Sequence, residues 1–422
     1  VVLQPRPATM LRSSKEPPHE GSFFRVSPWP CCSSGGLPSA SSADPVAPEP
    51  PVPVEFITDA EIRDFAASMD ISFEEARFMM YEGGEALVQF VEQHRGDKTY
   101  GDLRVLYDDG LQIQFRATDK ASPLYGVLEK AVGRPVERFV GGRSASQMDT
   151  DLTAAKASLA RWQRSSAGDS LSGQSVFIAP DFEAGRIVVR APSTLVRRAS
   201  SERVVPAEVG FIVDDSMRIE ATSMAGVGLS SGCTVGYVAK RPANGMRALV
   251  TAGHCWDAAG SAGWGTQYAS AVSDVCGAVD RQLHPITSGP MYEGFFDRAG
   301  GYHHFRAVAG GSYPGQPYFR RGIHTQRDGT VVTQGWFSMF PQFNNPANWD
   351  CGGLTEVWIY GFRLNPSGST AIGGDSGGPV VLAYGGHWYL AGSLTGVKLG
   401  DEWAAMASLP SDWLICTETT PC

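Results

Sequence analysis

The chain has 422 residues, enough for two or three domains, and its 42% hydrophobic and 19% charged content is that of a globular protein rather than a disordered one. A net charge of −9 argues against a nucleic-acid partner, which would want a basic face. No stretch reaches the roughly 18 apolar residues that a membrane-spanning helix needs.

Residues 1–30 carry Arg and Lys but no apolar core of signal-peptide length. Residues 33–54 are rich in Ser, Pro, Ala and Gly and end in Pro48-Glu49-Pro50-Pro51-Val52-Pro53, a semi-extended linker. Residues 1–54 are therefore expected to be a disordered targeting and linker segment, and the Cys31-Cys32 pair within it carries no functional reading. Order is expected from Phe56. Thr58-Asp59-Ala60-Glu61 forms a capping box ahead of Ile62, Phe65 and Met69 on one helical face. Ser72-Phe73-Glu74-Glu75 is a second box, opening a helix to about His94 that Gly83-Gly84 weakens or breaks. The methionines of that helix read as core filler. Leu103–Tyr107 and Leu111–Phe115 alternate around Asp-Gly and read as a hairpin. Helices are expected over 122–132, closed by Gly133, and over Leu152–Gln163. A second hairpin pairs Ser175–Ile178 with Arg186–Arg190. Residues 55–200 thus read as a compact α+β unit, followed by a linker over 201–224.

The chemistry lies in the C-terminal part. Met246–Val250 reads as a buried strand leading into Thr251-Ala252-Gly253-His254-Cys255. Far downstream stands Gly374-Asp375-Ser376-Gly377-Gly378-Pro379, followed by a strand over Val380–Tyr384, a Gly385-Gly386 turn and a return strand over His387–Ala391. A serine hydroxyl is a poor nucleophile at neutral pH; it needs a histidine to take its proton and fixed N–H donors for the oxyanion. Glycines beside the serine allow a sharp turn and a close backbone approach to a substrate carbonyl.

These two strings, in this order, resemble the general-base and nucleophile segments of chymotrypsin-fold serine peptidases. The helix–hairpin–helix–hairpin order upstream is similar to the pro-region of the secreted bacterial α-lytic protease and streptogrisin group. The resemblance implies an all-β catalytic domain over 225–422, built as two six-stranded antiparallel Greek-key barrels with the cleft between them, preceded by a smaller α+β pro-region. It implies His254 as general acid/base, Ser376 as nucleophile and the amides of Gly374 and Ser376 as the oxyanion hole. Asp375 would brace the oxyanion loop. Asp274, Asp280, Asp297, Asp328 and Asp350 lie between His254 and Ser376 and are candidates for the acid. Asp297, in Gly294-Phe295-Phe296-Asp297-Arg298-Ala299, looks most like the family's acid segment, although the chain continues as Gly300-Gly301-Tyr302-His303-His304 rather than as an apolar strand. Asp280 is the second candidate.

Cys233 and Cys255 resemble the family disulfide beside the base histidine. The remaining four, Cys276, Cys351, Cys416 and Cys422, allow three pairings, of which Cys276–Cys351 with Cys416–Cys422 is expected. Six cysteines in this half without C-x-x-C spacing fit an oxidising, extracellular compartment better than a metal site. His303-His304 alternate sides on a strand and cannot easily bind one ion, so no metal and no cofactor is expected. The segment 368–373, with Thr370 and Ala371, should line the primary pocket together with Ser393, Leu394 and Thr395. It holds no carboxylate, so an uncharged residue is expected before the scissile bond. The expected partners are a peptide or protein substrate and the chain's own pro-region as intramolecular chaperone and inhibitor; a monomer is expected, without nucleic acid or membrane. The alternative is a catalytically silent peptidase-fold binding protein. An esterase is a weaker one, because elbow-type esterases place Ser before His.

Overall fold

The computed structural model describes residues 56–107, 109–165, 175–202, 209–215, 233–253, 255, 258–262, 265–274, 280–291, 293–296, 301–322, 326–339, 354–362, 374–398, 401–407 and 409–422. The chain divides into units 1–46 and 47–422, and every described residue lies in the second.

The N-terminal part runs α1 (Asp59–Met69), α2 (Phe73–Met80), α3 (Glu82–His94), β1 (Tyr100–Leu106), β2 (Gln112–Ala117), α4 (Leu124–Val132), β3 (Glu137–Val140), α5 (Ala145–Ser165), β4 (Ser175–Asp181), β5 (Arg186–Ala191), α6 (Ser193–Glu202) and β6 (Val209–Val213). Short strands follow: β7 (Tyr237–Arg241), β8 (Met246–Thr251), β9 (Gly260–Ser261), β10 (Gln267–Tyr268), β11 (Ser273–Asp274), β12 (Gln282–Ser288), β13 (Gly294–Phe296) and β14 (Tyr302–His304). The last are β15 (Gln316–Arg321), β16 (Gln326–Met339), β17 (Leu354–Phe362), β18 (Pro379–Tyr384), β19 (His387–Lys398), β20 (Asp401–Met406) and β21 (Leu414–Ile415).

Local sequence explains the helix ends. Both expected capping boxes form: Glu61 and Glu75 side chains return to the Thr58 and Ser72 amides, and the hydroxyls of those residues accept from the glutamate N–H groups. The break between α2 and α3 falls at Tyr81, ahead of the two glycines. Gly83 and Gly84 are buried in α3 instead, where a Cβ on Gly84 would press on Tyr384 of the C-terminal half. The helix expected from Leu152 begins at Ala145, because Ser144 and Gln147 form a third, unrecognised box. The first hairpin forms with Leu106 opposite Gln112, so its loop spans 107–111 and excludes Tyr107 from the strand. Tyr107 is drawn away by burial against Phe65 and by its hydroxyl, which donates to the Gly315 carbonyl at 2.7 Å.

Two sheets carry the C-terminal half. One is seven-stranded, in the order β21-β7-β8-β12-β10-β9 with β11 on β12. In the other, β15-β18-β19-β20-β17-β16 pair antiparallel in sequence around a circle, and β16 pairs back to β15, closing six strands into a barrel. Closure removes open edges. The barrel is filled by aromatic side chains: Trp388 meets Phe319 edge-on at 4.7 Å and Phe295 at 5.4 Å between ring centroids. Each such ring contributes about 1.5–3 kcal/mol by burial.

The N-terminal part is welded to this barrel. β4 pairs with β16, and β5 and β6 continue the same sheet, so it runs across the boundaries read at 200 and 224. A single apolar core includes Phe65, Met79, Phe115 and Leu152 together with Phe295, Phe319, Val381 and Trp388. The β18–β19 turn is clamped by the N-terminal helices: the Gly385 and Gly386 amides donate to the Tyr81 and Met80 carbonyls, and the Ile57 amide to the Gly386 carbonyl. Glu61 of α1 reaches His303 of β14 at 3.2 Å, both side chains being buried.

Candidate active site

β8 delivers the first motif and the turn before β18 delivers the second. Gly374 and Gly377 both have positive φ, 98° and 85°, which fold residues 374–378 into consecutive tight turns. At Gly377 a Cβ would overlap Thr251 Oγ1 and the Thr234 carbonyl, and would come within 2.9 Å of the Ala252 nitrogen. The loop carrying Ser376 therefore lies directly on the strand that leads to His254, and only glycine permits that approach. Three consecutive carbonyls of the loop are engaged: Gly374 O accepts from Thr234 Oγ1 (2.6 Å), Asp375 O from the Gly378 amide (3.0 Å) and Ser376 O from the Thr234 amide (2.8 Å). Thr251 Oγ1 donates in turn to Thr234 O at 2.8 Å. With the carbonyls tied off, the peptide planes are fixed; among the described residues the Gly374 and Ser376 amides donate to no protein acceptor. Ser376 is 7% exposed, buried yet reachable.

Asp375 is fully buried, and its carboxylate faces the equally buried guanidinium of Arg320 on β15 at 3.4 Å. Two charges out of water are held by mutual compensation, and removal of one partner of such a pair costs about 3–5 kcal/mol. Gly322 closes over the same carboxylate, where any side chain would collide with it.

The first sheet brings Asp280 to Gly253, just after β8. β12 pairs antiparallel with β8, with Gln282 opposite Thr251. Asp280, two residues earlier, is 3% exposed and lies under Gly253: a Cβ there would sit 2.6 Å from the Arg281 nitrogen and 3.1 Å from Asp280 Oδ1. Gln282 reaches across, its Nε2 donating to the Gly253 and Cys255 carbonyls at 2.6 and 2.7 Å. Cys255 is joined to Cys233, the expected disulfide, and Cys416 to Cys422.

β19 runs beside the nucleophile loop. Leu394 exchanges two hydrogen bonds with it, from the Gly377 amide to Leu394 O (2.7 Å) and from the Leu394 amide to Gly378 O (2.8 Å). The register against β20 shifts between Leu394 and Gly396, so Thr395 is the extra residue of a bulge, a device that re-aims a side chain. Ser393 and Thr395 are buried, and their hydroxyls have no protein partner among the described residues.

The structure thus gathers Gly374, Ser376, Ser393, Leu394, Thr395 and the Cys233–Cys255 bond around the end of β8. His254, Asp297, Thr370, Ala371, Cys276 and Cys351 lie outside the described residues. Sequence reading missed Thr234, Thr251, Arg320 and Gln282, none of which stands in a recognisable motif apart from Thr251. Glu293 approaches Cys416 and Cys422, but those sulfurs are bonded to one another and offer no thiolate. A groove of about 490 Å³ lies between β1, β4–β6 and residues 314–315, away from Ser376.

No family model matches the sequence, and no curated protein does. Solved structures similar to it include serine proteases of the chymotrypsin fold. Nocardiopsis protease is 20% identical over 46% of this chain and 99% of that one, with a TM-score of 0.35. Thermobifida fusca protease A is 20% identical over 46% and 98%, with 0.34, and Cellulomonas bogoriensis chymotrypsin 19% identical over 44% and 92%, with 0.31.

Proposed function

We propose that the chain is a secreted serine endopeptidase made as a zymogen, with residues 55–200 serving first as a folding template and then as a blocker of the cleft. Ser376 is the nucleophile. His254 takes its proton as Oγ attacks the peptide carbonyl, and the Gly374 and Ser376 amides hold the resulting oxyanion. Collapse passes the proton to the leaving amine and leaves an acyl-enzyme on Ser376. Water, activated by the same histidine, releases the acid product. The observation that carries this reading is the packing of Gly377 on Thr251 and Ala252, which joins the two motifs by backbone.

For the acid that orients the imidazole, Asp297 is the sequence expectation and Asp280 is the residue that the described contacts favour. Asp280 is buried, its Oδ1 lies against Gly253, and it precedes the strand paired with β8. Gly253 precedes His254 in the chain, and a carboxylate beside it is suited to fix the tautomer and stabilise the imidazolium. Asp297 follows β13, whose partner is β14.

The Arg320–Asp375 pair bears on latency. Both residues belong to the catalytic half, so the oxyanion loop is braced whether or not the chain has been cut. Latency would then come from occlusion by the N-terminal part, and its shared sheet and core with the barrel support that role.

An uncharged residue before the scissile bond is supported by the absence of carboxylates in 368–373 and by the buried hydroxyls of Ser393 and Thr395. The test is turnover of a peptide library by the protein freed of its N-terminal part, read by mass spectrometry. Cleavage after small or medium uncharged residues is expected. A preference for Arg or Lys contradicts the pocket assignment, and no turnover of any peptide favours a silent scaffold.

A further inference from the structure

His284 lies on β12, on the same face as Gln282, and is fully buried. Its Nε2 is 3.0 Å from Gln282 Oε1 and its Nδ1 is 3.1 Å from the Ala269 carbonyl oxygen. The Gln282 amide has only one tenable orientation. Its Nε2 contacts two carbonyl oxygens, of Gly253 and Cys255, at 2.6 and 2.7 Å; turning the amide over would set its oxygen against both. Gln282 Oε1 therefore faces His284 as an acceptor, and the Ala269 carbonyl can only accept. A neutral imidazole has one N–H and would present a lone pair to one of these oxygens. Only the doubly protonated ring satisfies both.

We propose that His284 is a positioning residue of the base loop: held doubly protonated between Gln282 Oε1 and the Ala269 carbonyl, it locks the Gln282 amide onto the two carbonyls that flank His254. This rests on the reading of His254 as general base. Another titratable group beside it, among the described residues, is Tyr268 of β10, whose ring meets the imidazole edge-on at 5.1 Å.

The test uses the full chain carrying Ser376→Ala, selectively ¹⁵N-labelled at histidine, with His284 assigned by comparison with His284→Gln. At pH 7.5 both ring nitrogens of His284 should resonate as protonated imidazolium; a neutral tautomer at that pH overturns the proposal. In the Ser376-containing protein freed of its N-terminal part, Gln282→Leu should slow fluorophosphonate labelling of Ser376 by about ten- to a hundredfold through misplacement of His254, with its melting transition retained. Unchanged labelling also overturns it. The two arms separate the claims: no labelling of any Ser376-containing variant, with His284 an imidazolium, removes the peptidase reading and leaves the anchoring of the loop. Normal labelling with His284 neutral removes the anchoring alone.

Discussion

Replacing Asp280 by asparagine removes one charge and almost no volume. The side chain is 3% exposed beneath Gly253, and the neighbouring Gln282 anchors the loop independently, so the backbone around His254 should persist. What changes is the imidazole. An asparagine can turn its amide N–H toward the ring, selecting the tautomer that cannot accept the serine proton and leaving the imidazolium without a counter-charge. For a triad acid the loss in kcat is about 10⁴-fold, equivalent to about 5.5 kcal/mol of transition-state stabilisation. The assay is kcat/KM on a chromogenic peptide with a small apolar residue before the scissile bond, measured on protein freed of residues 1–224, with thermal melting as the control for folding. Asp280→Asn should lose about four orders of magnitude with a melting temperature within a few degrees of the parent. Asp297→Asn should stay within about threefold. The reverse pattern would refute the assignment of Asp280 and restore the sequence expectation.

Arg320→Met takes the guanidinium away from the buried Asp375 carboxylate, costing about 3–5 kcal/mol, and should slow probe labelling of Ser376 by at least about a hundredfold; Asp375→Asn in the same chain should recover part of the stability, measured by melting. Gly377→Ala sets a methyl group into Thr251 and the Thr234 carbonyl at positive φ, so activity should be abolished, as kcat/KM on the same peptide would show. Glu75 accepts from the Leu111 and Ser72 amides, which hold its carboxyl below the usual range. That stabilisation is present above the ordinary carboxylate range and is lost as pH falls through the lowered value. Glu75→Gln should therefore lower the melting temperature slightly at pH 7 and leave it less dependent on pH between about 5 and 2, measured in the Ser376→Ala chain.

Features written in short segments were legible in the sequence. The capping boxes at Thr58 and Ser72, the Gly133 helix end and the β18–β19 hairpin around Gly385-Gly386 all depend on residues within a few positions of one another. Nothing local announces Arg320, which meets Asp375 from 55 residues away, or the pairing of β4 with β16. Tyr107 looked like a strand residue because its alternation fits; its hydroxyl instead answers to Gly315, 208 residues downstream. Asp280 and Asp297 both precede an arginine, and local sequence favoured the one with aromatic neighbours. That Asp280 precedes the strand paired with β8 is set by sheet topology rather than by either motif.

The central claim is that Ser376 is an activated nucleophile. Its most direct measurement is reaction of the protein, once freed of its N-terminal part, with a fluorophosphonate probe, read by intact mass and peptide mapping. A single adduct on Ser376, absent in Ser376→Ala and strongly slowed in His254→Ala, is the predicted result. Protein that stays unlabelled after demonstrated removal of that part would contradict it.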